Sequence, residues 1–153
     1  MAALDEIDWH ILRELRRNGR ISILDLADRV GLSPTPCGRR VKRLEDDGVI
    51  RGYTTTLDNA RLGLNISVFI MVRLSGHGPE GTRDFLSAVA ARPEITECFL
   101  VAGNVDYMLR VWVGDLEELG DFVRDVLQSI PAVTETSTMV VLKEEPQPEV
   151  LPF

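Results

Sequence analysis

Histidine and cysteine are scarce in this chain, with two of each among 153 residues. Cys37 and Cys98 lie far apart and in no metal-ligand spacing. They read as two reduced, packed thiols rather than as a disulfide framework or a zinc site. His10 falls in an expected helix and His77 in a Gly-containing loop, again without metal-ligand spacing. A Cys98–His77 nucleophile and base can be drawn, but Cys98 sits inside an apolar run where packing accounts for it. Glycine is too sparse around Gly76, Gly78 and Gly103 to build a phosphate-cradling loop. No apolar run approaches the ~18 residues that a membrane span needs. The N-terminal stretch MAALDEIDWH lacks the shape of a signal peptide. The expectation is a cytoplasmic protein that is not an enzyme, holds no metal or cofactor and has no membrane partner.

What is present is charge, unevenly placed. The net charge is −7. Residues 1–60 carry ten Lys/Arg and ten Asp/Glu, and the remaining residues carry seven and fourteen. All the surplus acid therefore lies in the second part, while four basic residues of the first part cluster from Arg39 to Arg43. Two modules with different partners follow from that asymmetry.

The first module reads as three helices. Ile7, Ile11, Leu12 and Leu15 recur at helical spacing from Leu4 to Asn18, with Asp5, Glu6 and Asp8 in the first turn, where the helix dipole favours them. Asn18-Gly19 ends that helix. Ser22 caps a second helix reaching Val30, and Gly31 suits its C-terminal end. Ser33 is placed to cap a third helix, with Pro34 at its first position. At ~100° per residue, Cys37, Val41 and Leu44 share one face, Thr35, Arg39 and Arg43 point away, and Pro36 and Lys42 lie on the flanks. Arg40 sits between the two faces. A helix small at its N-terminal end and cationic in its middle suits entry into a DNA major groove, although a solvated basic face has the same pattern. A tight turn before such a helix makes a helix-turn-helix. In that arrangement Thr35, Pro36, Arg39 and Arg43 face the groove, and Arg40, Lys42 and Ser22 hold phosphates. The β-rich run VIRGYTTTL beyond Gly48 is placed to form a wing.

These residues resemble a known family. The leading Leu4-Asp5 with Asp8, the turn from Asn18 to Ser22, Leu26-Ala27 and Val30-Gly31-Leu32-Ser33 belong to the match. So do Pro34-Thr35-Pro36-Cys37, the helix Arg39-Arg40-Val41-Lys42-Arg43-Leu44 and the exit from Gly48 to Tyr53. Together they resemble the DNA-binding domain of the Lrp/AsnC (feast/famine) transcriptional regulators.

Beyond a hinge at Asp58–Gly63 the periodicity changes to two. Ile66, Val68, Ile70, Val72 and Leu74 alternate through a strand. A helix from Thr82 to Ala91, strands at Ile95–Ala102 and Tyr107–Val113, a helix from Leu116 to Ile130 and a strand from Val133 to Lys143 follow. The order is βαββαβ. The expected fold is therefore α+β, an N-terminal winged helix-turn-helix domain (residues 1–60) joined to a C-terminal ferredoxin-like sandwich (61–144), with a Pro-rich acidic tail (145–153). The strands are apolar at both parities, with Phe69 and Met71 opposing Val68 and Ile70, and Met108 and Trp112 opposing Leu109 and Val111. Two helices cover one face of such a sheet, so a second copy is the simplest cover for the other. The resemblance implies the same homodimer, and assembly into octamers.

The turn Gly103, Asn104, Val105, Asp106, Tyr107 allows two readings from its residues alone. Its backbone amides can form an anion-binding nest beside the Asp106 carboxylate, or Gly-Asn can be an ordinary hairpin turn that Asp106 caps. Thr134, Thr136 and Thr138 alternate along the last strand. The resemblance implies that this turn, with Thr136 and Thr138, holds a small amino-acid effector, and Asn104 stands where the family more usually has an acid. The function so implied is sequence-specific, effector-responsive regulation of transcription on double-stranded DNA. An architectural DNA-binding protein with little sequence preference is the alternative.

Overall fold

A computed structural model describes residues 3–75 and 78–145. They fall into two compact units, one running to Thr56 and one spanning Leu57–Glu145. Gly76 and His77, and with His77 the Cys98–His77 pairing set aside above, lie outside the described residues, as does the tail from residue 146. No helix is long and apolar enough among the described residues to cross a membrane.

The first unit contains α1 (Glu6–Arg17), α2 (Ile23–Val30) and α3 (Pro34–Asp46). Helix α1 starts two residues later than its apolar pattern suggests because Asp5 caps it. The Asp8 amide donates to Asp5 Oδ1 at 2.9 Å and the Asp5 amide donates to Asp8 Oδ2 at 3.1 Å, a reciprocal capping box. Helix α2 begins at Ser22 and stops at Gly31, whose φ of 70° is the left-handed conformation that glycine adopts without strain. Ile11, Leu26, Ala27, Val30, Cys37, Val41 and Leu44 form the core between the three helices. The run after Gly48 folds back so that Val49 and Ile50 pack on that core. The Ile50 amide donates to the Leu44 carbonyl at 2.9 Å. Residues 51–58 then run as an arm without regular secondary structure that joins no strand pair among the described residues.

The second unit opens with a 3₁₀ turn, Ala60–Leu62, in the hinge stretch, closed by Gly63 at φ 84°. Strands β1 (Ile66–Leu74), β2 (Ile95–Leu100), β3 (Tyr107–Val113) and β4 (Val133–Val140) make one antiparallel sheet in the order β2-β3-β1-β4. Helices α4 (Pro79–Ala90) and α5 (Leu116–Asp121) complete the βαββαβ order. Helix α4 begins three residues earlier than expected. Pro79 and Gly81 read as loop residues, but proline is well suited to the first helical turn, where its missing N–H costs nothing. The long helix expected through Ile130 is α-helical only to Asp121. Phe122–Leu127 widens to a π-helix, with the Gln128 amide donating to the Val123 carbonyl at 2.9 Å. Strands β2 and β4 end earlier than expected, at Leu100 and Val140.

Val68, Ile70, Val72, Leu109, Val111 and Val113 are fully buried beneath Phe85, Val89, Phe122 and Leu127 of the helical layer. The opposite face carries Phe69, Met71, Met108 and Trp112 half-buried, with Phe99 and Met139 exposed. Arg110 lies among them, its guanidinium carbon 5.1 Å from the Phe69 ring centre and 5.3 Å from that of Trp112. Its charge also pairs with Glu144. Cys98 differs from its expected packed position. It lies on the sheet's edge strand and is exposed, whereas Cys37 is fully buried.

Candidate nucleic-acid interface and ligand turn

The recognition-helix candidate α3 is fixed by its apolar side. Cys37, Val41 and Leu44 are buried, which turns Thr35, Arg39 and Lys42 outward as exposed side chains. Pro36 is half-buried beside them. Lys42 lies 3.5 Å from Asp46 one turn on. Ser33 occupies the N-cap position with extended backbone, but its side chain makes no capping hydrogen bond. Its hydroxyl is exposed at the end of the helix rather than serving as the cap.

Arg40 and Arg43 are turned toward α1. Arg40 donates to Asp8 Oδ1 at 2.9 Å and to Asp5 Oδ2 at 2.7 Å, and Arg43 donates to Asp8 Oδ2 at 2.5 Å. The reason is angular and electrostatic. Residues three apart share a flank of a helix, and this flank faces the Asp8 carboxylate, only 1% exposed on α1. A charge so far from water requires a cationic partner. The Ser22 hydroxyl is likewise engaged, accepting from the Asp25 amide at 3.1 Å and donating to the Asp25 carboxylate at 2.6 Å.

A second buried carboxylate on α1 repeats the device. Glu14, 5% exposed, accepts from Arg29 of α2 at 2.7 Å and from Arg17 at 3.0 Å. The hydrogen bond from Arg29 holds its carboxyl below the usual range, against the opposing effect of burial. Asp5 is also lowered, by the Asp8 amide it accepts and by Arg40. The role of these two acids went unread in the sequence. The signal was available, because Asp8 and Glu14 fall within ~60° of Ile11 on the helical wheel, inside the apolar arc.

The arm after Gly52 is tied to α3. The Tyr53 hydroxyl donates to Glu45 at 2.9 Å. Burial and that carboxylate together push the phenol up to about 12.

The β2–β3 turn is braced against β1. The Val101 amide donates to the Asp106 carbonyl and the Asp106 amide to the Val72 carbonyl, both at 3.0 Å. Asp106 Oδ2 accepts the Leu74 amide at 2.8 Å, and Arg73 Nε donates to the Asn104 carbonyl at 3.0 Å. Gly103 and Asn104 are exposed, and Gly103 has φ 151°, a conformation that favours glycine. Val105 is half-buried. Tyr107 is a core residue, 7% exposed, with its ring centre 4.9 Å from that of Phe85. The registers align Tyr107 with Val72 and Val72 with Thr136, so all three lie in one row on the helix-covered face. Thr136 Oγ1 is 3.4 Å from Gln128 Nε2, and Thr138 is exposed two residues along, opposite Ile70. Thr134 donates to the Arg73 carbonyl at 3.1 Å. The structure thus gathers the turn, Tyr107 and Thr136 at one end of the sheet and gives Asp106 a bracing bond. Among the described residues, no group of three or more His, Cys, Asp and Glu side chains is arranged to hold a metal ion.

A family model for the Lrp/AsnC ligand binding domain matches residues 67–150, and one for a winged helix-turn-helix DNA-binding domain matches residues 4–51. The chain belongs to the Lrp/AsnC family. The Leucine-responsive regulatory protein of Haemophilus influenzae is 45% identical over 145 residues, covering 95% of this chain and 87% of that protein. Its Escherichia coli namesake is 43% identical, covering 94% and 88%. Among solved structures, a Neisseria meningitidis transcriptional regulator complexed with L-methionine superposes with a TM-score of 0.93 at 37% identity, covering 98% of this chain and 97% of that one. The feast or famine regulatory protein of M. tuberculosis, also complexed with L-methionine, gives 0.84 at 30% identity, covering 95% and 96%. This Lrp/AsnC protein is a DNA-binding transcriptional regulator. Its N-terminal unit is the winged helix-turn-helix, and its C-terminal unit belongs to a class of domain that takes amino-acid effectors.

The ion-pair geometry makes an asymmetric prediction. Replacing both Arg40 and Arg43 with Ala leaves Asp8 buried and unpaired, at a cost of about 3–5 kcal/mol. Asp8→Ala costs less, because the two arginines it releases turn to water. Urea unfolding of the three proteins should rank them in that order. A second expectation concerns acid. The stability supplied by Glu14 is present above the ordinary carboxylate value of 4.5 and is lost as pH falls through its lower folded value. The urea midpoint should therefore decline progressively below about pH 4.5, and less steeply in Glu14→Gln.

Proposed function

We propose that α3 enters the major groove with Thr35, Pro36 and Arg39 toward the bases, while Lys42 and the Ser33 hydroxyl contact the sugar-phosphate backbone. One observation carries this reading. Arg39 stands exposed on the face opposite the buried Cys37–Val41–Leu44 stripe, with no ion-pair partner among the described residues. Arg40 and Arg43 support the contact from the flank, where Asp8 sets their direction. Arg43 remains 42% exposed and keeps donors for a phosphate. Ser22, at the start of α2, contributes as a capped helix end that a phosphate approaches.

The working unit is a homodimer that pairs through the open face of the sheet, with octamers as a further assembly. Phe69, Met71, Met108 and Trp112 form an apolar patch that helices do not cover, and the Arg110 guanidinium lies over two of these rings. A small amino acid modulates DNA affinity or assembly from the β2–β3 turn. The amides around Gly103 and Asn104 receive its carboxylate, and Val105, Asp106, Tyr107, Thr136 and Thr138 form the surroundings. An apolar side chain, aliphatic or thioether, is the class favoured, since solved relatives hold L-methionine and curated relatives are named for leucine. Asn104 in place of an acid lowers the negative charge facing that carboxylate. The acid-rich second unit thus serves the effector and the charge-balanced first unit serves DNA.

Fluorescence anisotropy on the DNA upstream of the protein's own gene, with scrambled competitor and with or without L-methionine or L-leucine, tests the whole reading. Competitor-resistant binding that shifts with either amino acid is expected. Binding lost equally to scrambled DNA would make the protein architectural instead. Arg39→Ala should lose about 1–3 kcal/mol of discrimination between cognate and scrambled sites. Its thermal stability should be unchanged, because the side chain is exposed. Met71→Asp should dissociate the dimer in sedimentation equilibrium while leaving the far-UV circular dichroism intact.

A further inference from the structure

The first unit carries a second cationic feature, distinct from α3. The last turn of α1, the Asn18–Arg20 turn and the arm at 52–55 enclose an open cavity of about 520 Å³. Arg16, Arg17, Arg20, Asn18, Thr54 and Thr55 supply its polar lining, and no carboxylate contributes to it. That sets it apart from two other concavities. The one beside Ser22 includes Asp25 and Asp28, and the one on the sheet face includes Glu144 and Glu145.

The three arginines are not equivalent. Arg17 is committed to Glu14 at 3.0 Å. Arg16 and Arg20 are exposed and have no carboxylate partner among the described residues. In a chain of net charge −7 this is an uncompensated pair of cations. Asn18 Oδ1 accepts the Arg20 amide at 3.0 Å, which leaves the Asn18 amide group as a further donor. The walls are held in place. Gly19 has no side chain, and a Cβ there would lie 3.4 Å from the Tyr53 ring, so the arm closes against the end of α1. Tyr53 in turn bonds Glu45 on α3, so the cavity is built on the same frame as the recognition helix.

We infer that this cavity is an oxyanion site that takes a backbone phosphate of the DNA flanking the segment read by α3. Guanidinium groups meet a phosphodiester with paired, charge-assisted hydrogen bonds, and the hydroxyls of Thr54 and Thr55 add neutral donors. The contact is sequence-independent and adds affinity without adding specificity. This inference rests on the DNA-binding reading of α3, and the experiment separates the two.

Binding of the full chain to cognate and scrambled duplexes is measured across a range of salt concentrations for the wild type, Arg39→Ala and the double variant Arg16→Gln/Arg20→Gln. The double variant should bind both duplexes more weakly by the same factor. The slope of log K against log salt should become shallower by about 1 for each phosphate that the variant no longer neutralises. Trimming the duplex to the segment read by α3 should abolish the difference from wild type. An unchanged slope on the long duplex would overturn the inference, even with Arg39→Ala relaxing specificity as expected. Failure of the wild type to bind DNA would overturn both readings together. Isothermal titration with inorganic phosphate covers the remaining source. If the double variant loses phosphate binding but keeps the wild-type salt slope, the cavity takes a free oxyanion and the assignment to DNA falls.

Discussion

Two carboxylates buried on one helix constrain the DNA-binding unit more than any other feature. Asp8 and Glu14 project from the core-facing arc of α1, where little of either meets water. Each needs cations, and each draws them from a different helix: Arg40 and Arg43 from α3, and Arg29 from α2, with Arg17 added locally. The apolar stripe brings the three helices together, but it tolerates small rotations. Charge-assisted hydrogen bonds to a buried carboxylate tolerate less. The orientation of α3 about its own axis is therefore set twice, once by Cys37, Val41 and Leu44 and once by Asp8. The face that remains exposed carries Arg39 at its centre.

The second unit works under a different constraint. Its sheet is apolar on both faces, and α4 and α5 cover one. The other retains Phe69, Met71, Met108 and Trp112, with the Arg110 guanidinium over two of the rings. A guanidinium over aromatic rings keeps its charge and is more weakly hydrated than an ammonium. At the end of the sheet, Asp106 accepts the Leu74 amide and Arg73 holds the Asn104 carbonyl, so the turn is braced within the fold.

Charge also divides the labour. The surplus acid is confined to the residues beyond 60, and the basic groups of the first unit fall into two kinds. Arg17, Arg29 and Arg40 neutralise buried or capping acids, with Arg43 shared between that task and the surface. Arg13, Arg16, Arg20, Arg39 and Arg51 carry charge that nothing in the described residues neutralises, and Lys42 lies 3.5 Å from the exposed Asp46. This second kind is available to a polyanion without disrupting internal pairing. A count of arginines along the sequence does not separate the two kinds.

Much of the architecture was legible in the residues. Periodicity located the three helices and the βαββαβ order, Ser22 and Gly31 marked the ends of α2, and the strands' apolar residues at both parities showed the uncovered sheet face. These features are local, so spacing along the chain reports them. The sequence also placed the candidate groove-facing stripe and the β2–β3 turn. Contacts between distant segments were beyond it. A helical wheel knows nothing of Asp8, thirty-five positions before the Arg43 that pairs with it. The packing of the Tyr107 ring in the core beside Phe85 was equally out of reach. The widening of α5 into a π-helix, the exposure of Cys98 on the edge strand and the cavity at the end of α1 all depend on which surfaces meet. Sequence determined which side chains carry charge and how each element is phased. Tertiary structure decided which charges neutralise one another, because pairing depends on distance in space and on burial.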